Sequence, residues 1–381
     1  MEISLVTAVS ASAQGATIYV ALELSKSRWL VGVHTPLADK VSQYSLPGGD
    51  SEALLDRIGR VREPTERRLG HPMRIICCYE AGYDGFWLHR LLRANNIENH
   101  VMDPASLPVD RRARRAKTDR IDLAALLRAL MAWHRGEHQV CRMVQVPSPE
   151  QEDRRRRSRE RERLVKERVQ HIARIKGLLM TQGIRDFQPA RKDWADRLER
   201  LRTGDGRPLP PALKAEIERE CRRLWQVIEM VRAVERERAA AGPADRPDQT
   251  EMLTRLVGVG EVSAGILVDE VFYRDFANRR EVAGYVGLCS SPYNSGAVQR
   301  DQGISRAGNP RARRVAIELA WFWLRYQPGS RLSSWFHERV GTTRGRFKRI
   351  MIVALARKLL VALWRYLTTG EVPDGARVKT A

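Results

Sequence analysis

Residues 16–46 read ATIYVALELSKSRWLVGVHTPLADKVSQYSL, and they predict three consecutive short strands. Apolar and β-branched residues fill the segments 16–24, 28–35 and 40–46, and short polar turns separate these segments. Strands joined by such short turns pair antiparallel, because parallel neighbours need a long crossover connection. The stretch therefore predicts a three-stranded antiparallel sheet.

Helices and strands alternate after these three strands. A continuous apolar run at 73–81 is typical of a central strand that is buried on both faces. The remaining segments predict, in chain order, a helix at 52–61 capped by Asp50 or Ser51, a helix at 85–95, a strand at 98–104 and a helix at 119–134. Three antiparallel strands followed by two parallel strands is the order of the RNase H-like fold. Residues 1–147 therefore predict an α/β domain of that class.

Two further segments complete the predicted architecture. Residues 148–249 are densely charged, and Val165, Val169, Ile172 and Leu179 have the spacing of a coiled-coil stripe. A Pro/Gly break at 204–211 divides this segment into two helices, which predicts an antiparallel hairpin or a dimerisation arm. Residues 250–381 predict a mainly helical domain. In it, glycines 258 and 260 lie between two apolar segments as in a helix-hairpin-helix, whose turn presents N–H groups to phosphate.

The overall charge points to a polyanionic partner. The chain of 381 residues carries 67 Lys and Arg against 46 Asp and Glu, a formal net charge of +21, so nucleic acid is the first partner to consider. No uncharged apolar stretch is long enough to span a bilayer, so no membrane partner is expected. The five cysteines form no C-x-x-C pair and the N-terminus lacks a signal-peptide pattern, which together predict a cytoplasmic protein.

Four acids fall at positions suited to a metal site. Glu23 lies near the end of the first predicted strand, Glu80 ends the fourth, and Asp119 and Asp122 lie three residues apart on a helix. In the predicted strand order the first and fourth strands are neighbours, so these acids can converge. Two Mg²⁺ ions about 3.5–4 Å apart would neutralise them and act on a phosphodiester. The alternative is that each Glu is a solvated turn residue and that Asp119 caps its helix.

Four stretches of the chain resemble one known family. They are YVALELSKSRWLVGVH (19–34), YEAGYDGFWLHRLL (79–92), AKTDRIDLAALL (116–127) and FANRREVAGYVGLCSSPYNSGAVQRDQGISRAGNPRARR (276–314). Together they resemble the DEDD transposases of insertion-sequence family one-ten, relatives of the pilin-gene invertase. The resemblance covers the first and third predicted domains, and the charged arm lies between them.

The resemblance implies a RuvC-like first domain whose acids are Glu23, Glu80, Asp119 and Asp122, with Mg²⁺ or Mn²⁺ as cofactor. The family's first acid is usually Asp, and Glu23 departs from that pattern. The last domain would carry a serine nucleophile, assigned to Ser295 because it precedes Gly296. This serine would form a covalent link to DNA and release a 3′-hydroxyl, in a composite site with the acids. On residue chemistry alone, Asn-Ser-Gly is a common turn rather than a nucleophile.

Basic clusters flank both sets of residues. The predicted nucleic-acid contacts are Arg111, Arg112, Arg114, Arg115, Lys117, Arg300, Arg306, Arg311, Arg313 and Arg314. Each of these arginines and the lysine could instead belong to a solvated basic face. Trp321, Trp323, Trp335 and Trp364 have apolar helical spacing and are predicted to lie in the core.

These inferences predict a transposase that cuts and rejoins DNA, with element ends and target DNA as partners. The resemblance further implies a structured guide RNA, and the arm favours a homo-oligomer, either a dimer or a tetramer. Two alternatives stay open. One is a metal-dependent junction nuclease without a serine step, and the other is an inactive nucleic-acid-binding derivative of a transposase.

Overall fold

A five-stranded mixed sheet organises the residues up to Val146 in the computed structural model, which describes residues 17–107, 119–240, 247–295 and 298–379. The strands are β1 (Thr17–Leu24), β2 (Arg28–Thr35), β3 (Ala38–Pro47), β4 (Arg74–Glu80) and β5 (Glu98–Met102). Their order in the sheet is β3-β2-β1-β4-β5. The pairs β3–β2 and β2–β1 are antiparallel, whereas β1–β4 and β4–β5 are parallel. The predicted strand order is therefore confirmed.

Helices cover both faces of this sheet. They are α1 (Ser51–Leu69), α2 (Trp87–Ala94) and α3 (Asp119–His134). The predicted cap of α1 is Asp50, whose side chain accepts a hydrogen bond from the Ala53 N–H at 2.9 Å. Alternate residues of the central strands enter two separate cores: Cys77 packs on one side of the sheet, and Cys78 packs on the side covered by α3. Burial on both faces explains the continuous apolar run of β4.

The residues from Pro147 onwards form a second unit. It begins with α4 (Pro149–Met180), α5 (Trp194–Glu199) and α6 (Pro211–Ala240). Helices α4 and α6 pack antiparallel: Arg161 contacts Glu235 near one end of the pair, and His171 contacts Glu220 further along. Leu179 is buried between the helices, but Val169 is 56% exposed and lies outside that core. The antiparallel hairpin is thus present, while the coiled-coil assignment stays a prediction.

The described remainder of the second unit contains helices and one β-hairpin. Its elements are α7 (Pro247–Arg255), α8 (Glu261–Leu267) with a π-helical continuation (Val268–Phe272), α9 (Arg279–Tyr285), β6 (Ser290–Ser295), β7 (Val298–Ile304), α10 (Pro310–Tyr326), α11 (Arg331–Val340) and α12 (Arg346–Thr369). Gly258, with φ +89°, separates α7 from α8. The helix-hairpin-helix assignment of this turn stays a prediction, as does the division into domains 1–147, 148–249 and 250–381.

Two of the tryptophans predicted to lie in the core differ in burial. Trp323 is 1% exposed, as predicted, but the prediction that Trp321 lies in the core is wrong, because Trp321 is 43% exposed on α10. The Lys348 ammonium lies 5.7 Å from the centre of the Trp321 ring.

In the part of the chain that the structure describes, no helix has both the length and the apolar character needed to cross a membrane.

Candidate active site and nucleic-acid contacts

Glu23 and Glu80 lie at the carboxyl ends of two neighbouring parallel strands. In the register of β1 and β4, Leu22 pairs with Tyr79, and the two acids follow these residues. Each acid is half-buried. The carboxyl ends of parallel strands meet at one edge of a sheet, which is where open α/β sheets bind ligands. The sequence placed both acids at this edge correctly.

The two acids also share a face of the sheet. Ala21 of β1 and Ile76 and Cys78 of β4 pack in the core on the α3 side. Side chains alternate between faces along a strand, so residues two positions further on return to the same face. Glu23 and Glu80 therefore belong to the face that α3 covers.

The first turn of α3 reaches the same edge. Leu123 packs on Gly32 so closely that a Cβ added there would lie 3.0 Å from Leu123 Cγ, and Gly32 pairs with Ala21. Asp119 lies one helical turn before Leu123, and its Oδ2 accepts a hydrogen bond from Arg28 Nη2 at 3.0 Å. Arg28 begins β2, which starts where β1 ends. Asp119 is thereby located beside the end of β1 that carries Glu23.

Asp122 completes the set of four acids. It follows Asp119 by three residues, so it lies on the same side of α3, and it is half-buried whereas Asp119 is exposed. Within the described ranges, no three Asp, Glu, His or Cys side chains are grouped closely enough to hold a metal ion. As a donor set, however, four carboxylates presented to one edge and one face match the oxygen ligands that Mg²⁺ and Mn²⁺ prefer.

Ser295 is the last residue of β6 and is exposed. It pairs with Val298 across the β6–β7 hairpin. Gly296, the residue on which the assignment of this serine rested, lies outside the described residues. Ser295 belongs to the second unit, whereas the four acids belong to the first.

The base of the Ser295 hairpin is closely packed. The Ser305 N–H donates to the Cys289 carbonyl at 2.8 Å, and the Arg306 N–H donates to the Gly287 carbonyl at 3.2 Å. A Cβ added at Gly287 would lie only 1.9 Å from the Ala307 carbonyl oxygen. The loop that leaves β7 is therefore held against the loop that enters β6.

The predicted nucleic-acid contacts differ in their surroundings. The cluster Arg111, Arg112, Arg114, Arg115 and Lys117 lies outside the described residues. Arg300 and Arg306 are exposed on and beside the hairpin, as expected for residues that contact phosphate. Their assignment to nucleic acid stays a prediction.

Three of these predicted contacts are already engaged within the protein. The Arg311 side chain is only 11% exposed, and its guanidinium is paired with Glu162 and Glu270. Arg314 is paired with Glu162. Arg313 donates to the Val286 carbonyl at 3.1 Å, and burial lowers the pKa of its guanidinium.

Glu270 is a buried acid that sequence reasoning missed. It is 2% exposed and accepts hydrogen bonds from Arg159, Arg311 and Asn309. Burial alone would raise the pKa of its carboxyl, but these donors outweigh burial and lower the pKa to about 2. No pattern in the sequence marks Glu270, because its partners are 39 or more residues away.

The sequence matches models of known protein families. A family model described as "Transposase IS116/IS110/IS902 family" matches residues 250–333, and a second, for DEDD transposases of IS110 and described as "Transposase", matches residues 49–182. A Sinorhizobium fredii protein named "Putative transposase y4rJ" is 50% identical over 375 residues, which cover 95% of this chain and 95% of that protein. The chain belongs to the IS110 family of transposases.

More distant relatives agree with this membership. The "Transposase for insertion sequence element IS1111A" of Coxiella burnetii is 27% identical over 261 residues, covering 67% of this chain and 68% of that protein. The "Transposase for insertion sequence element IS1328" of Yersinia enterocolitica is 27% identical over 214 residues, covering 55% and 61%. As an IS110-family transposase, the chain is an enzyme that cleaves and rejoins DNA. The matched ranges include Glu80, Asp119, Asp122 and Ser295, whereas Glu23 precedes them.

Proposed function

We propose that this IS110-family transposase moves its element by phosphoryl transfer that uses a metal held by four acids and a serine nucleophile. The observation that carries the proposal is the convergence of Glu23, Glu80 and the first turn of α3 on one edge and one face of the sheet. Carboxylates brought to one edge and one face offer the oxygen ligands that Mg²⁺ and Mn²⁺ prefer.

Glu23, Glu80, Asp119 and Asp122 would hold Mg²⁺ or Mn²⁺. The bound metal would supply charge neutralisation at the scissile phosphate. Arg28 pairs with Asp119, so a positive group lies beside one of the proposed metal ligands. The side chain of Glu23 is one methylene longer than the family's usual Asp.

Ser295 would be the nucleophile. Its Oγ would lose its proton, attack the phosphorus of a strand at the element end and form a phosphoserine ester, while the bond to the leaving 3′-oxygen breaks and that oxygen takes a proton. Attack by a 3′-hydroxyl on the phosphoserine would reverse these bond changes and rejoin the DNA. The exposed position of Ser295 at the end of β6 supports this role, since a phosphodiester must reach the hydroxyl.

The partners of the proposed reaction are element ends, target DNA and a structured guide RNA, bound by a dimer or tetramer of the chain. Exposed Arg300 and Arg306, together with the cluster at 111–117, would contact phosphates and make binding salt-dependent. The contacts of Arg311 and Arg313 within the protein support a structural role for these two residues instead.

Two variants test the proposal on plasmid DNA that carries the element ends, in the presence of RNA transcribed from the element. Wild-type protein with Mg²⁺ should cleave the DNA and leave a covalent protein–DNA adduct that survives SDS. Ser295→Ala should abolish the adduct and cleavage, and Glu80→Gln should abolish both without weakening DNA binding. Cleavage that persists in Ser295→Ala would favour the junction nuclease. Absence of metal-dependent cleavage in the wild type would favour the inactive derivative.

A further inference from the structure

The Glu270 carboxylate accepts hydrogen bonds from two parts of the second unit that are far apart in the sequence. Its Oε1 accepts from Arg159 Nε and from Arg311 Nη1, each at 2.9 Å. Its Oε2 accepts from Arg159 Nη2 at 2.9 Å and from Asn309 Nδ2 at 3.0 Å. A buried carboxylate is tolerated only when it is paired in this way, and removal of one partner leaves charge uncompensated. The four contacts therefore specify one arrangement of the parts that they join.

One of these parts is the beginning of the long helix α4. Arg155, Ser158, Arg159 and Glu162 form a stripe at helical spacing along α4. Arg155 Nε donates to the Asp269 carbonyl at 2.8 Å and its guanidinium lies 3.9 Å from the centre of the Tyr273 ring. Arg311 joins Ser158 and Glu162 to the same cluster. Helix α4 is thus docked here through directional polar contacts, which fix its orientation more tightly than an apolar face would.

The other part is the loop that returns from the Ser295 hairpin. Asn309 is the N-cap of α10, and its Oδ1 accepts from the N–H groups of Arg311 and Ala312 at 3.0 and 3.1 Å. Its own N–H donates to the Tyr285 carbonyl at 3.1 Å, which closes the base of the hairpin. The Nδ2 of the same side chain donates to Glu270. Asn309 therefore links Glu270 directly to the segment that carries β6 and β7.

We propose that Glu270 is a positioning residue, which holds the base of the Ser295 hairpin in a fixed relation to helix α4. Glu270 does not touch the reacting atoms. It acts through Asn309 on one side and through Arg159 on the other, so a displacement of α4 is transmitted to the hairpin. The catalytic consequence rests on the proposed role of Ser295, whereas the mechanical link does not.

Two variants separate the two sides of the link. Asn309→Ser keeps a side chain that caps helices well but removes the amide donor to Glu270. Arg159→Gln removes both guanidinium contacts to Glu270 and leaves Asn309 in place. Arg161→Gln is the matched control, because Arg161 is on the same helix and its ion pair is with Glu235. Thermal unfolding of each variant establishes that it is folded.

Hydrogen exchange of the DNA-free protein tests the mechanical link. We expect the amides of Ser305 and Arg306 to exchange at least about tenfold faster in Asn309→Ser and Arg159→Gln, and to be unchanged in Arg161→Gln. Unchanged exchange at the hairpin base in Arg159→Gln would overturn the proposal. This result is independent of whether Ser295 is the nucleophile.

Adduct formation tests the catalytic consequence. At saturating DNA, both variants should form the covalent adduct at least about tenfold more slowly than Arg161→Gln, with DNA affinity within about twofold of the wild type, because the serine is displaced while the binding surface is kept. Equal adduct rates in all three variants would overturn the positioning role. If the wild type forms no adduct, the proposed serine chemistry fails, and the exchange experiment alone decides the link.

Discussion

Arg28 and Asp119 form an ion pair between the start of β2 and the first turn of α3, with Arg28 Nη2 3.0 Å from Asp119 Oδ2. Both side chains are more than half exposed, so the pair itself contributes at most about 1 kcal/mol. Its importance lies in its position, because Asp119 is one of the four acids of the proposed metal site. The guanidinium and a divalent cation would compete for the same carboxylate.

Replacement of Arg28 should therefore ease metal binding. We expect Arg28→Gln to lower the Mg²⁺ concentration that gives half-maximal cleavage by about twofold to fivefold, the range that loss of an exposed ion pair allows. A titration of cleavage rate with Mg²⁺ measures this. Arg60→Gln is the control, since Arg60 pairs with Asp56 within α1 and should leave the titration unchanged. An unchanged or higher Mg²⁺ requirement in Arg28→Gln would argue against Asp119 as a ligand.

The negative charge of Glu23 should affect the cleavage rate more than the length of its side chain does. We expect Glu23→Gln to slow cleavage by at least about 100-fold, because loss of one carboxylate weakens the attraction for metal. Glu23→Asp restores the family's usual acid and should keep the rate within about tenfold of the wild type. Single-turnover cleavage at one fixed, sub-saturating Mg²⁺ concentration separates the two variants. Equal cleavage rates for Glu23→Gln and the wild type would show that Glu23 is not part of the metal site.

The close approach at Gly287 makes a prediction about stability. Gly287 has φ +70°, and an added Cβ would meet the Ala307 carbonyl at 1.9 Å, so Gly287→Ala should destabilise the protein by about 2–4 kcal/mol. Gly303 has φ +87° but no atom within 4 Å of its added Cβ. Gly303→Ala therefore carries the backbone strain without the clash. Thermal unfolding should show the larger decrease for Gly287→Ala, and equal decreases would contradict the packing of the hairpin base.

Much of the first unit could be predicted from the sequence because its signals are local. Strand β4 is apolar from Ile75 to Tyr79 since both faces are buried there, and the acids at the ends of β1 and β4 follow from the strand order. Arg28 could not be anticipated as a partner of Asp119, because 91 residues separate them. Only the packing of α3 on the sheet brings the two together.

The second unit was less predictable for a physical reason. Strand β6 is polar and mostly exposed, so it lacks the alternation that marks a strand, and the hairpin at 290–304 was not predicted. The arginines at 311, 313 and 314 were interpreted as a phosphate-binding cluster, because a basic helix start has that appearance in sequence. Their carboxylate and carbonyl partners come from α4, the π-helical segment and the loops beside the hairpin.

Acid should remove the stability that Glu270 provides. Its pKa of about 2 in the folded protein lies below the ordinary value of 4.5, so its contribution is complete above about pH 4.5 and is lost as the pH falls towards 2. The difference of pKa corresponds to about 3 kcal/mol. We expect Glu270→Gln to be less stable than the wild type by about that amount at neutral pH, and we expect this difference in stability to decrease in acid.

Glu251→Gln removes an exposed acid paired with Arg255 and should change stability by less than about 1 kcal/mol. Chemical denaturation at pH 7, 5 and 3 makes the comparison, and a gap for Glu270→Gln that stays constant across this range would show that the carboxylate is not held ionised by its three partners.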